Sequence, residues 1–480
     1  MKRLYILLLT LVALLDVAAH KIYVYRNDGR FNQLSADGSA ELLHEVNNTD
    51  TIVKFGNESL SLSAIDSISV RSVDVPVLHF TFPDNPDAEW VTDKETYIRA
   101  QLDVDGSGYT ESSEGLLLNV KGRGNSTWSL PKKPMRLKFD KKTSICGFDK
   151  AKSYVLLADY SDQSLMRNAT ALWVAQKLGI SSAVDFMPCQ VWVNGKFAGM
   201  YLLTDKIGIN KTSVDIDESA GVLIEMSNEY DEPYKFRSAI HKLPVMIKDP
   251  DFDELAVDYP DGPSPDERLA TWETDFNKAE AVAEQAGDAF EAGRQLAPGE
   301  GEVEKYFDMN SAVDYILLYN FARNNEIGFP KSCYLYKEAP GEDFKYKIGP
   351  AWDFDISFNI LSYGGKPDAT EAPINKTVWL NSLLYCISCS PKFLPLYKER
   401  FEYFKSTIYP ELLEWIDSYS SLIEPGARLD GLRWPETFDN PQWIKKPRSA
   451  FDNRLNVAEL KDWIMRRVDA MQQAVDEGRF

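Results

Sequence analysis

Hydrophobic and polar positions alternate with a period of two over much of the first half of the chain and follow a helical period over much of the second. Between residues 21 and 71, the runs Ile22-Tyr23-Val24-Tyr25, Thr51-Ile52-Val53-Lys54-Phe55 and Ser67-Ile68-Ser69-Val70 are parted by Asn/Asp/Gly turns at residues 27–29 and 56–57. Such runs predict a small β module. Val75 to Phe82 and Leu116 to Val120 predict further strands, and Met135 to Phe139 alternates apolar with basic, which sets Arg136 and Lys138 on one face. Asp103 to Gly108 is rich in Asp and Gly but lacks the bidentate Glu of a calcium loop, so it predicts a hairpin turn. The clearest hairpin is Gln190 to Tyr201, whose arms flank Asn194-Gly195, the dipeptide of a type I′ turn.

Helical spacing takes over at Leu165, Ala169, Leu172 and Ala175, within a helix predicted from a cap at Asp162 to a stop at Gly179. Residues 249–304 are acidic and rich in Ala, Pro and Gly, and read as an insertion carrying a surface helix from Ala270 to Arg294. An apolar helix from Asn310 to Arg323, with Val313, Ile316, Leu317 and Phe321 inward, delivers Asn324-Asn325-Glu326 to its C-terminal end. Cys333 to Tyr336 and Tyr346 to Ile348 predict paired strands, and the rest is mostly helical, with 401–422 and 457–475 the most periodic segments.

The stretch from Gly349 to Phe358 interrupts this pattern with two carboxylates in an apolar run. As a strand it would set Asp353 and Asp355 on one face, backed by Trp352, Phe354 and Ile356. Two such acids imply a cation, a basic partner or open water. The local pattern leaves Asp353 open between a metal ligand and a carboxylate satisfied by backbone N–H groups. Arg123, Lys132, Lys133, Arg136 and Lys138 surround Gly122 and Gly124 and resemble a phosphate cradle, against the plainer reading of a solvated basic edge strand.

The 480 residues suffice for two or three units, and a formal net charge of -20 argues against nucleic acid or an anionic membrane as the main partner. Met1-Lys2-Arg3, the apolar run Leu4 to Leu15 and small residues up to Ala19 form a signal-peptide pattern, too short to span a bilayer. No later segment predicts a membrane span. The expected location is therefore periplasmic, cell-surface or extracellular. Five cysteines are too few for a disulfide scaffold. Cys386 and Cys389 have C-x-x-C spacing, but without a second pair and with only four His in the chain they argue against zinc, leaving buried thiols or one local disulfide.

In order along the chain, Arg123-Gly124-Asn125-Ser126-Thr127-Trp128, Lys132 to Phe139, Leu165-Met166-Arg167-Asn168, Val193-Asn194-Gly195 with Gly199-Met200-Tyr201, and Trp352-Asp353-Phe354-Asp355 resemble the CotH family of spore-coat-type, kinase-like proteins. The resemblance runs from about Val75 to the C-terminus. It implies an α+β fold: a divergent two-lobed kinase-like domain over 73–480, with a mainly β lobe at 73–215 and a mainly helical one at 216–480, preceded by the β module at 20–72. It also implies ATP and magnesium, or manganese in its place, as cofactors, and phosphorylation of a Ser-rich secreted or surface protein. By the same resemblance Asp353 and Glu326 are the catalytic acids, Asp353, Asp355 and Ser332 the metal side, and Arg123, Ser126, Arg136 and Lys138 the nucleotide side.

Three positions depart from the family pattern: Glu326 stands where the family has Asp, Ser332 where it has Asn, and Asp205 where it has Glu. Two other classes stay open. One is a non-catalytic surface binding module retaining the fold. The other is a metal-assisted hydrolase using Asp353 and Asp355, which lacks the histidines and further acids of such sites.

Overall fold

The alternating runs between residues 21 and 71 form short strands in the computed structural model: β1 (Lys21–Arg26), β2 (Phe31–Ser35), β3 (Leu43–Asn47), β4 (Asp50–Phe55), β5 (Glu58–Ser61) and β6 (Ile65–Arg71). They make two three-stranded antiparallel sheets, β2-β1-β6 and β3-β4-β5. The structure describes residues 21–26, 31–35, 43–47, 50–55, 58–71, 74–180, 182–328, 330–359, 368–371, 379–439, 444–447 and 453–478. The expected signal peptide (1–19) and the turns at 27–29 and 56–57 lie outside them.

The next seven strands, β7 (Val77–Thr81), β8 (Ile98–Asp105), β9 (Ser113–Gly122), β10 (Met135–Thr143), β11 (Ala151–Leu157), β12 (Phe186–Val193) and β13 (Lys196–Asp205), close into a barrel in the order β10-β11-β13-β12-β7-β8-β9. Only the β7–β12 pair is parallel. The period of two decides what fills it: Met135, Leu137 and Phe139 point inward beside Leu102, Leu118 and Val120, while Arg136 and Lys138 point out. Asn194 and Gly195 both have positive φ, 48° and 75°, as a type I′ turn requires. The expected β lobe is thus a closed barrel; Asp103 to Asp105 end β8, and Gly106 to Gly108 open the connection to antiparallel β9.

Helix α1 (Arg167–Leu178) starts at Arg167 and not at the predicted cap. The carboxylate of Asp162 reaches forward, accepting from the amides of Ser164 (2.8 Å), Met166 (2.9 Å) and Arg167 (2.8 Å), while Leu165 is left-handed and outside the helix. Gly179, at φ 74°, ends it as predicted.

Beyond α2 (Phe252–Asp258), helix α3 (Pro265–Glu291) corrects the expectation of a surface helix. A stripe at Trp272, Phe276, Ala279 and Ala283 is buried, because these positions recur every three or four residues and meet the main core.

A five-stranded sheet follows, β15-β16-β14-β17-β18, from β14 (Val222–Met226), β15 (Lys235–Arg237), β16 (Pro244–Asp249), β17 (Cys333–Lys337) and β18 (Lys347–Ile348). It packs with α4 (Met309–Ala322), α5 (Trp379–Ser388), α6 (Phe393–Tyr403), α7 (Tyr409–Arg433) and α8 (Asn453–Asp476). Val155, Leu157, Met200 and Leu202 on the outer wall of the barrel belong to this same core. The α+β class therefore holds, but the layout is a barrel with helices packed on its wall, not a clear pair of kinase lobes.

A buried ion pair locks the two parts together. Lys132 Nζ lies 2.7 Å from Asp430 of α7, both side chains fully buried. Asp430 also accepts from the amide of Met200 at 2.8 Å. A Cβ at Gly199 would stand 2.7 Å from both partners, so the strand passes here only as glycine. None of the five cysteines forms a disulfide. Among the described residues, no helix is long and apolar enough to cross a membrane.

Candidate active site

The stretch from Gly349 to Phe358 is not a strand after Ile348. Asp353 takes the left-handed conformation, φ 66°, which Asp tolerates better than most residues. The expected strand alternation is therefore overturned, although Trp352 and Phe354 are buried as the pattern required.

Hydrogen bonds from two helices and from Asn324, which follows α4, hold this turn. Asn324 Nδ2 donates to the carbonyl of Asp353 at 2.9 Å, and the amide of Phe354 donates to Asn168 Oδ1 of α1 at 2.7 Å. Asn168 Nδ2 in turn donates to Asp159 at 2.7 Å, and the Tyr319 hydroxyl of α4 donates to the Trp352 carbonyl at 3.3 Å. A left-handed residue is a local cost of order 1–3 kcal/mol, and here the surrounding bonds over-determine it.

Helix α4 ends at Arg323, also left-handed (φ 51°), and the chain enters a 3-10 turn, Asn325–Gly328. That reversal brings Glu326 to the two aspartates. Its amide donates to Asn324 Oδ1 at 2.9 Å, while its Oε2 is buried with no hydrogen-bond partner. Burial first, then the charges of Asp353 and Asp355, push the Glu326 carboxyl well above the usual range, with Lys331 acting in the opposite direction. Asp355 is raised in the same way, by burial and then by Asp353. Ser332, itself at φ 54°, donates its hydroxyl to Asp353 Oδ2 at 3.3 Å.

Glu326, Asp355, Asp353 and Ser332 are thus brought together, and Lys331 beside them is already paired with Glu229 at 3.2 Å. Three carboxylates with so little positive charge, one of them with an orphaned oxygen, form the oxygen-rich donor set that a hard divalent cation takes. Asp353, Asp355 and Ser332 would hold it.

The expected basic donors divide. Arg123 lies over the Trp352 ring, 5.7 Å from its centroid, and its charge reaches Tyr334 together with those of Glu225 and Asp353. Arg136 stands beside Lys206, and its Nε is buried without a hydrogen-bond partner. Lys138 is exposed, with its ammonium 5.7 Å over the Tyr97 ring, and Ser126 is exposed in the turn Ser126–Ser129. Among the described residues, neither has a recorded contact with the acids. Lys132 is excluded from any cradle by its pairing with Asp430, and Lys133 donates to the Trp128 carbonyl at 2.5 Å.

Other residues of the site were given no role by sequence. Asn168 and Asn324 position the turn, and Lys331 faces the acids. Lys206, at the end of β13, has its pKa drawn down to about 8 by burial and then by Arg136. Glu225, paired with Lys248 at 2.8 Å, lies directly across from Tyr334. A lone acid inside the apolar strand Val222-Leu223-Ile224-Glu225-Met226 was the available signal.

A family model described as CotH kinase protein matches residues 120–471. No curated protein matches the chain. The matched span includes the barrel wall from the end of β9 onward, the turn with Glu326 and the Asp353–Asp355 turn, and the chain belongs to the CotH kinase family.

Proposed function

We propose that the protein is an exported kinase that transfers the γ-phosphoryl group of ATP to serine hydroxyls of a secreted or surface protein. The observation that carries the reading is the buried, unpartnered Oε2 of Glu326 beside Asp353 and Asp355. A buried acid without a hydrogen bond costs free energy, and such groups concentrate at functional sites. Export rests on the leader pattern of residues 1–19.

In this reading Glu326 accepts the serine proton as the serine oxygen bonds to the γ-phosphorus and the bond from that phosphorus to the ADP oxygen breaks. A carboxylate of raised basicity suits that proton transfer. Arg123 and Arg136 meet the phosphate oxygens from the barrel side. Asp353, Asp355 and Ser332 would hold magnesium, which when bound would supply positive charge against the phosphate oxygens and offset the repulsion among the carboxylates.

Thermal unfolding with ATP and magnesium or manganese tests nucleotide binding: the wild type shifts upward and Asp353→Ala does not. No shift in the wild type refutes the reading. Labelled phosphate transfer to a Ser-rich acceptor, with Glu326→Gln as control, then tests catalysis. Binding without transfer would identify a non-catalytic module, for which Ser332, a weaker ligand than Asn, is the structural reason.

A further inference from the structure

Phosphoryl transfer makes no use of the C-x-x-C cysteines, and one of them belongs to a separate cluster. Cys386 on α5, Glu284 on α3 and His241 between β15 and β16 bring one sulfur, one carboxylate oxygen and one ring nitrogen within 4.8 Å of one another. His241 Nε2 is 3.2 Å from Glu284 Oε2, and Cys386 Sγ is 3.1 Å from the same oxygen. Zinc bonds of about 2.0–2.3 Å at tetrahedral angles separate neighbouring ligand atoms by about 3.3–3.5 Å. Two of the three donor separations therefore already lie near the edge length of a tetrahedron, and the third is within 4.8 Å.

The scaffold around them is built. Cys386 is fully buried, the His241 side chain is only 9% exposed, and its Nε2 is buried without a hydrogen-bond partner. Fully buried Glu280, one turn before Glu284 on α3, accepts from Ser238 Oγ (2.6 Å), from the amide of Ile240 (2.8 Å) and from that of His241 (3.0 Å), which fixes the loop carrying the imidazole. One turn after Glu284, a Cβ at Gly287 would lie 2.6 Å from Cys386 Sγ, so the thiol reaches this face of α3 because the position is glycine.

We propose that His241, Glu284 and Cys386 form a zinc site, with the fourth position taken by water. Nitrogen, oxygen and sulfur donors together suit zinc and not magnesium. Neutral His241 Nε2 and the Glu284 carboxylate each supply a lone pair, and the Cys386 thiol gives its proton to solvent as the thiolate bonds to the metal; nothing is oxidised or reduced. Sequence argued against zinc because only one C-x-x-C pair and four His are present, whereas these ligands come from three separate elements. Helix α5 also packs against the turn Asn325–Gly328 that carries Glu326, so the metal braces that turn.

The test uses the full chain as Asp353→Ala, which keeps the nucleotide site out of the count, stripped with chelator and titrated with cobalt(II). One cobalt per chain, a thiolate-to-cobalt charge-transfer band and its loss on adding zinc are expected. Cys386→Ser removes the band, and His241→Gln and Glu284→Gln each weaken binding by at least about tenfold. Circular dichroism identifies any variant that fails to fold, and the other two then carry the test. Absence of the band, a band that survives Cys386→Ser, or unchanged affinity in both His241→Gln and Glu284→Gln overturns the proposal and leaves a metal-free polar cluster only.

Discussion

Lys132→Met separates a structural lysine from a phosphate-binding one. Its ammonium is 2.7 Å from Asp430, and neither side chain is exposed. Removing the lysine leaves a buried carboxylate whose desolvation is no longer offset, a loss of about 3–5 kcal/mol. Asp430→Asn removes the stranded charge while keeping an oxygen for the Met200 amide, now bonded at 2.8 Å, so the double variant should recover about 2 kcal/mol or more. Urea unfolding followed by circular dichroism measures all three variants against the wild type. At denaturant-free, folded conditions Lys132→Met should retain its thermal shift with ATP and magnesium. A Lys132→Met stability within about 1 kcal/mol of wild type, or a double variant no better than the single, would refute the ion-pair argument; a lost ATP shift in a folded variant would return Lys132 to the cradle.

Asp205 has its pKa pushed up to about 6 by burial, from 3.8, so its contribution to stability is present below the unfolded value and lost as pH rises through 6. Asp205→Asn keeps an acceptor for the Asp185 amide and should be more stable than wild type by about 1–3 kcal/mol at pH 7, with the gap closing below pH 4 in pH-resolved urea unfolding. Asn168→Leu strands the Phe354 amide and removes a donor from Asp159; a loss of about 2–5 kcal/mol and of the ATP-dependent thermal shift is expected, and an unchanged unfolding midpoint would contradict it. Glu326→Asp restores the family acid but retracts the carboxylate by one methylene from a pocket fitted to Glu, so phosphate transfer should fall about a hundredfold; a rise would mean the pocket still fits Asp.

The barrel wall was legible in the sequence because a strand with one face in a core must alternate, as Met135 to Phe139 and the arms around Asn194-Gly195 do. The apolar helix predicted from Asn310 to Arg323 was equally plain. The Gly349 to Phe358 run was misread because buried aromatics and two acids two residues apart fit a strand, and the left-handed turn at Asp353 depends on bonds from Asn324 and Asn168, distant in sequence. Helix α3 was placed at the surface for its acidity, although its apolar stripe was there to be counted.

Local chemistry alone determined several strands, among them those at Val77–Thr81 and Met135–Thr143, the Asn194-Gly195 hairpin, the α4 helix, the outward direction of Arg136 and Lys138, and the residues that resemble the CotH family. These follow from side-chain period, turn propensity and motif order, which act over a few neighbouring residues. Tertiary structure alone decided that the strands close into a barrel, that Lys132 is spent on Asp430, and that Glu326 meets Asp353 and Asp355 through two left-handed turns. It also decided that His241, Glu284 and Cys386 share one small volume. Burial and charge pairing are properties of the space a side chain enters, and elements far apart in the chain create that space.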